Sequence, residues 1–206
     1  MVPGRGTLPR RTPAHRAGKA RGQCVRPLLF LDLDDVLCLS DVHHSGQVLK
    51  IVQGKIPDYP ELWKNLVDAE AAANLRLLND EFNPWFVISS SWATYLSREQ
   101  MCEALTRTEL QFVVANLHTE WQTPRALSSS RRDEIEWWLD AHRQAEQPFL
   151  VIDDTNSGYT LMHSPLAYDG HVVLCKSGYG LTRKQYKEAR QRLRQQGVAG
   201  YSEALK

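Results

Sequence analysis

Long apolar runs are missing from this chain. None approaches the ~20 residues that a bilayer-spanning helix needs, so no membrane partner is expected. Cysteine is scarce: Cys24, Cys38, Cys102 and Cys175 are the four in 206 residues, and no two form a CxxC pair. That spacing suggests neither a zinc site nor a disulfide framework. It predicts reduced thiols in a cytoplasmic protein. The nucleotide-loop patterns GxGxxG and GxxxxGK[ST] are absent, Gly178 and Gly180 being too isolated to form one, and no serine lies in a GxSxG elbow. These gaps argue against a dinucleotide oxidoreductase, a P-loop kinase and an α/β hydrolase. There are no internal repeats.

Acidic residues are missing from one stretch. Residues 1–26 hold seven Lys or Arg, three Pro and four Gly, with no Asp or Glu. So little apolar surface cannot offset the entropy of ordering, and a disordered basic tail is expected there. It reads either as an arm for nucleic acid or as an incidental extension, and it lacks the apolar core of a secretory signal. The remainder, residues 27–206, carries 18 basic against 24 acidic residues, a balance of −6. A mildly acidic body does not resemble a duplex-binding surface. Its length suits one α/β domain.

What the chain does have is an apolar run that turns acidic. Residues 28–37 read LLFLDLDDVL, and two later stretches repeat the form: FVISSSW at 86–92 and FLVIDD at 149–154. Short apolar runs bounded by polar residues predict strands buried on both faces of a parallel sheet. In such sheets ligands bind at the carboxyl ends of the strands. Asp32, Asp34, Asp35, Asp153 and Asp154 would then crowd one edge, with a serine cluster beside them. At an effective dielectric of 20, two carboxylates about 4 Å apart repel by roughly 4 kcal/mol. The cluster therefore requires divergence, a proton or a shared cation; the plainer reading is a solvated acidic turn. All-oxygen ligands suit a hard cation, Mg²⁺ foremost.

Taken in order, VLKIV at 48–52 predicts a short strand, part of a hairpin flap over 38–60. His43 and His44 lie there, but adjacent histidines point apart on most backbones. Leu62, Leu66, Ala69, Ala73, Leu77 and Leu78 predict one helix from Pro60 to Phe82, ended by Asn83 and Pro84. A strand at 85–88, a helix at 97–107 capped by Ser97 with Gln100, and a strand at 110–115 follow. After a loop over 118–130 the stripe Ile135, Trp138, Leu139, His142 predicts a helix, with Trp137 and Trp138 read as core. Strands at 149–152 and 171–175 and a helix from Thr182 to about Gln196 complete a doubly wound, five-stranded, Rossmann-like parallel sheet.

These residues resemble the haloacid dehalogenase (HAD) superfamily of phosphatases. Asp32, Asp34 and Val36 stand as DLDDV where the first motif has DxDx[TV]. VISSS matches the second motif, through Ser90 or Ser89, and VIDD with Asp153 and Asp154 matches the fourth. SSSW (89–92), RRDEIEWWL (131–139) and GLT (180–182) are similar to the HAD domain of multidomain bacterial RNA-repair proteins. One departure stands out: the lysine of the third motif is missing before the 133–142 helix, so Arg131 or Arg132 must replace it. Arg offers bidentate phosphate contact but cannot lose its proton.

The resemblance implies an Mg²⁺-dependent phosphatase. Asp32 would be the nucleophile, giving an aspartyl phosphate, and Asp34 the general acid–base. Asp32, the carbonyl of Asp34 and Asp154 would hold the metal, with Asp153 supporting them. Ser90 and Arg131 would bind the phosphate. Neither gap that holds cap domains in the family is long enough for one here, so the fold is capless or carries only a small flap. By resemblance, capless members often act on large phosphorylated substrates such as polynucleotide ends or phosphoproteins. The alternatives are a small-metabolite phosphatase whose flap is a lid, and an inert phosphate- or protein-binding module.

Overall fold

The computed structural model describes residues 25–39 and 43–200. The expectation of a disordered tail therefore lies, except for Val25 and Arg26, outside the described residues. Five strands carry the architecture: β1 (Leu28–Leu31), β2 (Trp85–Ile88), β3 (Leu117–Gln122), β4 (Phe149–Asp154) and β5 (Val172–Cys175). They form one all-parallel sheet in the order β3-β2-β1-β4-β5. The sheet is doubly wound, and β1 lies at its centre.

Alternation along the strands divides the core. Leu29, Leu31, Phe86, Ile88, Leu150 and Ile152 face one side, while Leu28, Phe30, Val87, Phe149 and Val151 face the other. The first side packs helices α1 (Ser45–Val52), α2 (Pro60–Leu66), α3 (Ala69–Phe82), α4 (Arg98–Arg107), α5 (Gln111–Ala115) and α8 (Arg183–Gln195). The second packs α6 (Arg131–His142) and α7 (Pro165–Tyr168). Trp138 of α6 is fully buried edge-on against Phe30 at 5.2 Å, and its indole donates to the Glu120 carbonyl at 3.0 Å. Its neighbour Trp137 is 47% exposed, so only one of the paired tryptophans is core.

Three expected elements are corrected. VLKIV is helical, not a strand: it lies in α1, whose start is fixed by a capping box between His44 and Gln47. That cap occupies His44. The expected single helix over 60–82 is two, because Val67 is extended and Asp68 begins α3 by accepting from the Ala71 N–H at 2.9 Å. Residues 110–115 are not the third strand. Leu110 and Val113, three apart, both turn to the core as helix neighbours do. The strand is β3, at the sheet edge, where half its side chains meet solvent. By contrast, α4 starts at the expected Ser97–Gln100 capping box.

Between β1 and α3 lie only α1 and α2, and between β3 and α6 only residues 123–130. No cap domain stands in either place among the described residues.

Candidate active site

The parallel sheet brings the carboxyl ends of β1, β2 and β4 together. Asp32 follows β1, and its N–H continues the ladder by donating to the Ile152 carbonyl at 3.0 Å. Its side chain is thereby buried in the middle of the edge, 2% exposed. The chain then turns sharply. Asp35 takes a left-handed conformation (φ 57°), which Asp tolerates better than most residues, and Leu37 and Cys38 both donate to the Leu33 carbonyl at 2.9 Å. Asp34 stands inside this turn, where the Trp92 indole N–H lies 3.2 Å from both its carboxylate oxygens.

From β4, buried to its last residue, come Asp153 and Asp154. Asp154 accepts from the Asn156 N–H at 2.6 Å and the Ser177 hydroxyl at 3.1 Å. Gly158 lets the loop fold back tightly, since a Cβ there would stand 2.7 Å from the Asp154 carbonyl and 3.1 Å from the Asp153 side chain. This return places the Ser157 hydroxyl 3.0 Å from Asp32 Oδ2 and 2.7 Å from Asp153 Oδ1, in contact also with Asp154 Oδ2. One hydroxyl has one proton, so it cannot satisfy three carboxylates.

The cation of the site begins α6. Ser130 caps that helix through a reciprocal bond with Asp133, and Arg131 is its first residue. Of the two arginines left open by the sequence, Arg131 is the one brought in. It is 7% exposed, with Nε 2.8 Å from Asp153 Oδ2, Nη1 3.3 Å from Glu134 Oε2 and Nη2 3.6 Å from Asp32 Oδ1. The Nε contact is a meeting of charges rather than an aligned hydrogen bond. Arg132 instead lies half-exposed beside Asp133 and Glu136. Glu134 also meets Ser129 and Arg125 at 2.9 and 3.3 Å.

Electrostatics follow from this crowding. Burial, then the Asp153 charge, push Asp32 well above the usual carboxylate range, against Arg131. Burial pushes Asp153 up to about 6, Arg131 again opposing. Burial also raises Asp34, against its bond from Trp92. Ser89 and Ser90 at the end of β2 are buried, and neither hydroxyl makes a well-formed hydrogen bond among the described residues, although Ser90 stands close enough to Asp32 to hold its carboxyl down a little.

Ligand atoms from Asp32, Asp153 and Asp154 all lie within 4.8 Å of one another. Three buried carboxylates sharing one hydroxyl proton and one guanidinium fit a hard divalent cation, whose preferred ligands are oxygens. The Asp34 ligand expected for a metal is its backbone carbonyl; its carboxylate lies outside the trio and is engaged by Trp92.

Sequence reasoning met Trp92 and Glu134 only inside matching motifs, with no role given to either, and passed over Ser157 and Ser177. Glu134 carried a signal, the i, i+3 spacing from Arg131 on a helix. Ser157 and Ser177 carried none, because their loops come to the site only through the fold.

The family described as the HAD domain in Swiss Army Knife RNA repair proteins matches residues 28–186. No curated protein and no solved structure matches the chain. The matched residues run from the first of β1 into α8 and include every side chain of the site, and the chain belongs to this family of HAD domains, hydrolase-type enzymes built on a five-stranded parallel sheet.

Proposed function

We propose that the protein is an Mg²⁺-dependent phosphomonoesterase that works through an aspartyl phosphate at Asp32 and acts on the phosphorylated ends of polynucleotides. The observation that carries this is the unequal company of the two Asp32 oxygens. Oδ2 lies with Ser157 in the carboxylate trio, while Oδ1 lies on the side of Arg131. The first is suited to a cation, the second to attack on a phosphate held by the guanidinium.

Asp32 and Asp154 would hold the metal, with Asp153 beside them. When bound, it supplies charge neutralisation for an anionic reaction centre. Asp32 Oδ1 attacks phosphorus, and the bond to the leaving oxygen breaks. Asp34, which burial keeps inclined to hold a proton, gives that proton to the leaving oxygen. It then takes a proton from the water that attacks the phosphoryl group and releases Asp32. Ser90 and Ser89 have hydroxyls available to donate to phosphate oxygens. Arg131 meets Asp32 at its longest contact, 3.6 Å, the one most readily exchanged for a phosphate oxygen. Such preset donors stabilise charge as it spreads in the transition state.

Turnover of p-nitrophenyl phosphate with and without Mg²⁺, followed by a panel of 3′- and 5′-phosphorylated oligonucleotides and small phosphorylated metabolites, tests the proposal. Mg²⁺-dependent hydrolysis with preference for oligonucleotide ends is expected. Absence of hydrolysis with every divalent cation would overturn the activity, and preference for metabolites would overturn the substrate class.

A further inference from the structure

Around the site stand tyrosines that the chemistry above does not use. Tyr95, Tyr159 and Tyr179 are 60%, 69% and 61% exposed. Each lies on a loop pinned to the catalytic edge. Tyr95 follows three residues after Trp92, which holds Asp34. Tyr159 follows Gly158, whose N–H donates to the Asp154 carbonyl at 3.0 Å. Tyr179 sits between Gly178, whose N–H donates to the Asp35 carboxylate at 2.9 Å, and Gly180, where a Cβ would stand 2.8 Å from the Val36 carbonyl. Both glycines have positive φ, 77° and 65°, so the loop that presents Tyr179 depends on them.

A charge asymmetry adjoins Tyr179. Six of the thirteen residues of α8 are Lys or Arg. Those in its second half are paired: Arg190 and Arg194 with Glu81, Arg192 with Glu188. Arg183, Lys184 and Lys187 in the first half are exposed and form no ion pair among the described residues. Lys184 and Lys187, three apart, share a helix face. This half of α8 begins at the catalytic edge, because Leu181 donates to the Val36 carbonyl at 2.9 Å just before it. Lys176, on the same loop as Tyr179, sets its ammonium 4.5 Å over one face of that ring.

We propose that the Lys176–Tyr179 loop and the first half of α8 form a track for a single-stranded polynucleotide whose terminal phosphate occupies the Asp32 site, an inference that rests on the phosphatase reading above. Unpaired cations follow a phosphate backbone, and exposed rings stack on bases whatever their sequence. A duplex keeps its base faces stacked internally and gains nothing from the rings. The body of the chain is acidic overall, so on this face the attraction for a polyanion comes from these local cations.

The test uses single strands of one to eight nucleotides with a terminal phosphate, the octamer as a duplex, a phosphotyrosine peptide and p-nitrophenyl phosphate. Anisotropy of a labelled octamer reports binding even where nothing is cleaved. The wild type is expected to bind the octamer with a salt dependence that grows with strand length, and kcat/KM to rise roughly tenfold or more from mononucleotide to octamer. Tyr179→Ala, and separately Lys184→Glu with Lys187→Glu, should each weaken octamer binding by about tenfold, the charge variant also flattening the salt dependence. Both should melt normally and leave p-nitrophenyl phosphate turnover unchanged. Wild-type octamer affinity in both variants would overturn the track, as would equal loss on the phosphopeptide or tighter binding of the duplex. Loss of p-nitrophenyl phosphate turnover in the wild type itself would instead sink the phosphatase reading, leaving the binding result to stand or fall alone.

Discussion

The guanidinium of Arg131 meets three carboxylates with three different nitrogens, and none of those side chains is more than 3% exposed. Removing it strands Asp32 and Asp153 together in the interior and leaves Glu134 to Arg125 and Ser129. Breaking a buried ion pair from one side costs about 3–5 kcal/mol, so Arg131→Ala should lower the melting temperature by about 10 °C. It should also reduce kcat/KM by on the order of 10²–10³. Arg131→Lys keeps the charge, but one ammonium cannot reach three separated acceptors. Partial recovery of kcat/KM with little recovery of melting temperature is the expected result, and an alanine variant that melts like wild type would refute this account of the clamp.

Asp153 gives a pH signature at the same scale. Its folded value, about 6 against an ordinary 3.8, means that the folded state binds more protons between those pH values. Stability is therefore present at the acid side of that window and declines as pH rises through it. His118 and His171, lowered chiefly by burial, work in the opposite sense below their ordinary 6.5. The informative quantity is thus a difference: with EDTA present, the wild type should lose stability relative to Asp153→Asn as pH goes from about 4 to 6. Parallel curves would remove the buried, proton-holding Asp153 from the account. Legibility at this scale tracked backbone position. Residues at strand ends, Asp32, Ser90, Asp153 and Asp154, were readable because an apolar run stopping at a polar residue marks the edge. Trp92 and Ser157 were not, since nothing local says that an indole or a hydroxyl will fold back on a carboxylate.

Among the elements, the turn after β4 sets the spacing of the trio. Gly158→Ala would place a methyl 2.7 Å from the backbone carbonyl of Asp154 and 3.1 Å from the Asp153 side chain, and the first distance cannot be relieved without moving the backbone. The turn must open, carrying Ser157 away from Asp32. A loss of turnover of more than tenfold is expected, since small misplacements in a catalytic constellation are costly, while α6 and the sheet remain folded by circular dichroism. Full activity would show that the tight return is incidental. Elements were misread where periodicity was too short to decide. VLKIV and LQFVVA are short, mostly apolar stretches that suit a strand or a short buried helix, and both are helical in the fold. β3 escaped notice for the converse reason: LHTEWQ lies at an edge and keeps polar side chains toward water.

For the whole molecule, the alternation of strands and helices was enough to read the doubly wound sheet, because a parallel strand requires a crossover and the crossovers are helical. The lower closure of the sheet was not readable. Arg26, assigned to the tail, is docked on the body: it lies 3.6 Å over the Trp85 ring and donates to the Asn83 carbonyl at 2.7 Å and to Asn116 Oδ1 at 2.7 Å. Its own carbonyl accepts from Gln147 at 2.9 Å. Arg26 thus ties the start of β1 to the start of β2 and to the turn before β4. Charge alone placed it with the six preceding cations; only the fold supplies its partners. Arg26→Ala should cost about 2 kcal/mol through lost hydrogen bonds and stacking, a fall of about 4–8 °C in melting temperature, with turnover of a small substrate unchanged. An unaltered melting temperature would show the docking to be superficial.

The proposed chemistry requires that Asp32 become covalently phosphorylated. Single-turnover reaction with a substrate labelled in its phosphate, quenched in acid and mapped by peptide mass spectrometry, tests it most directly. Transient label on Asp32 is expected in the presence of Mg²⁺, with neither label nor turnover in a folded Asp32→Asn variant. Label elsewhere, or near-normal turnover by Asp32→Asn, would contradict it.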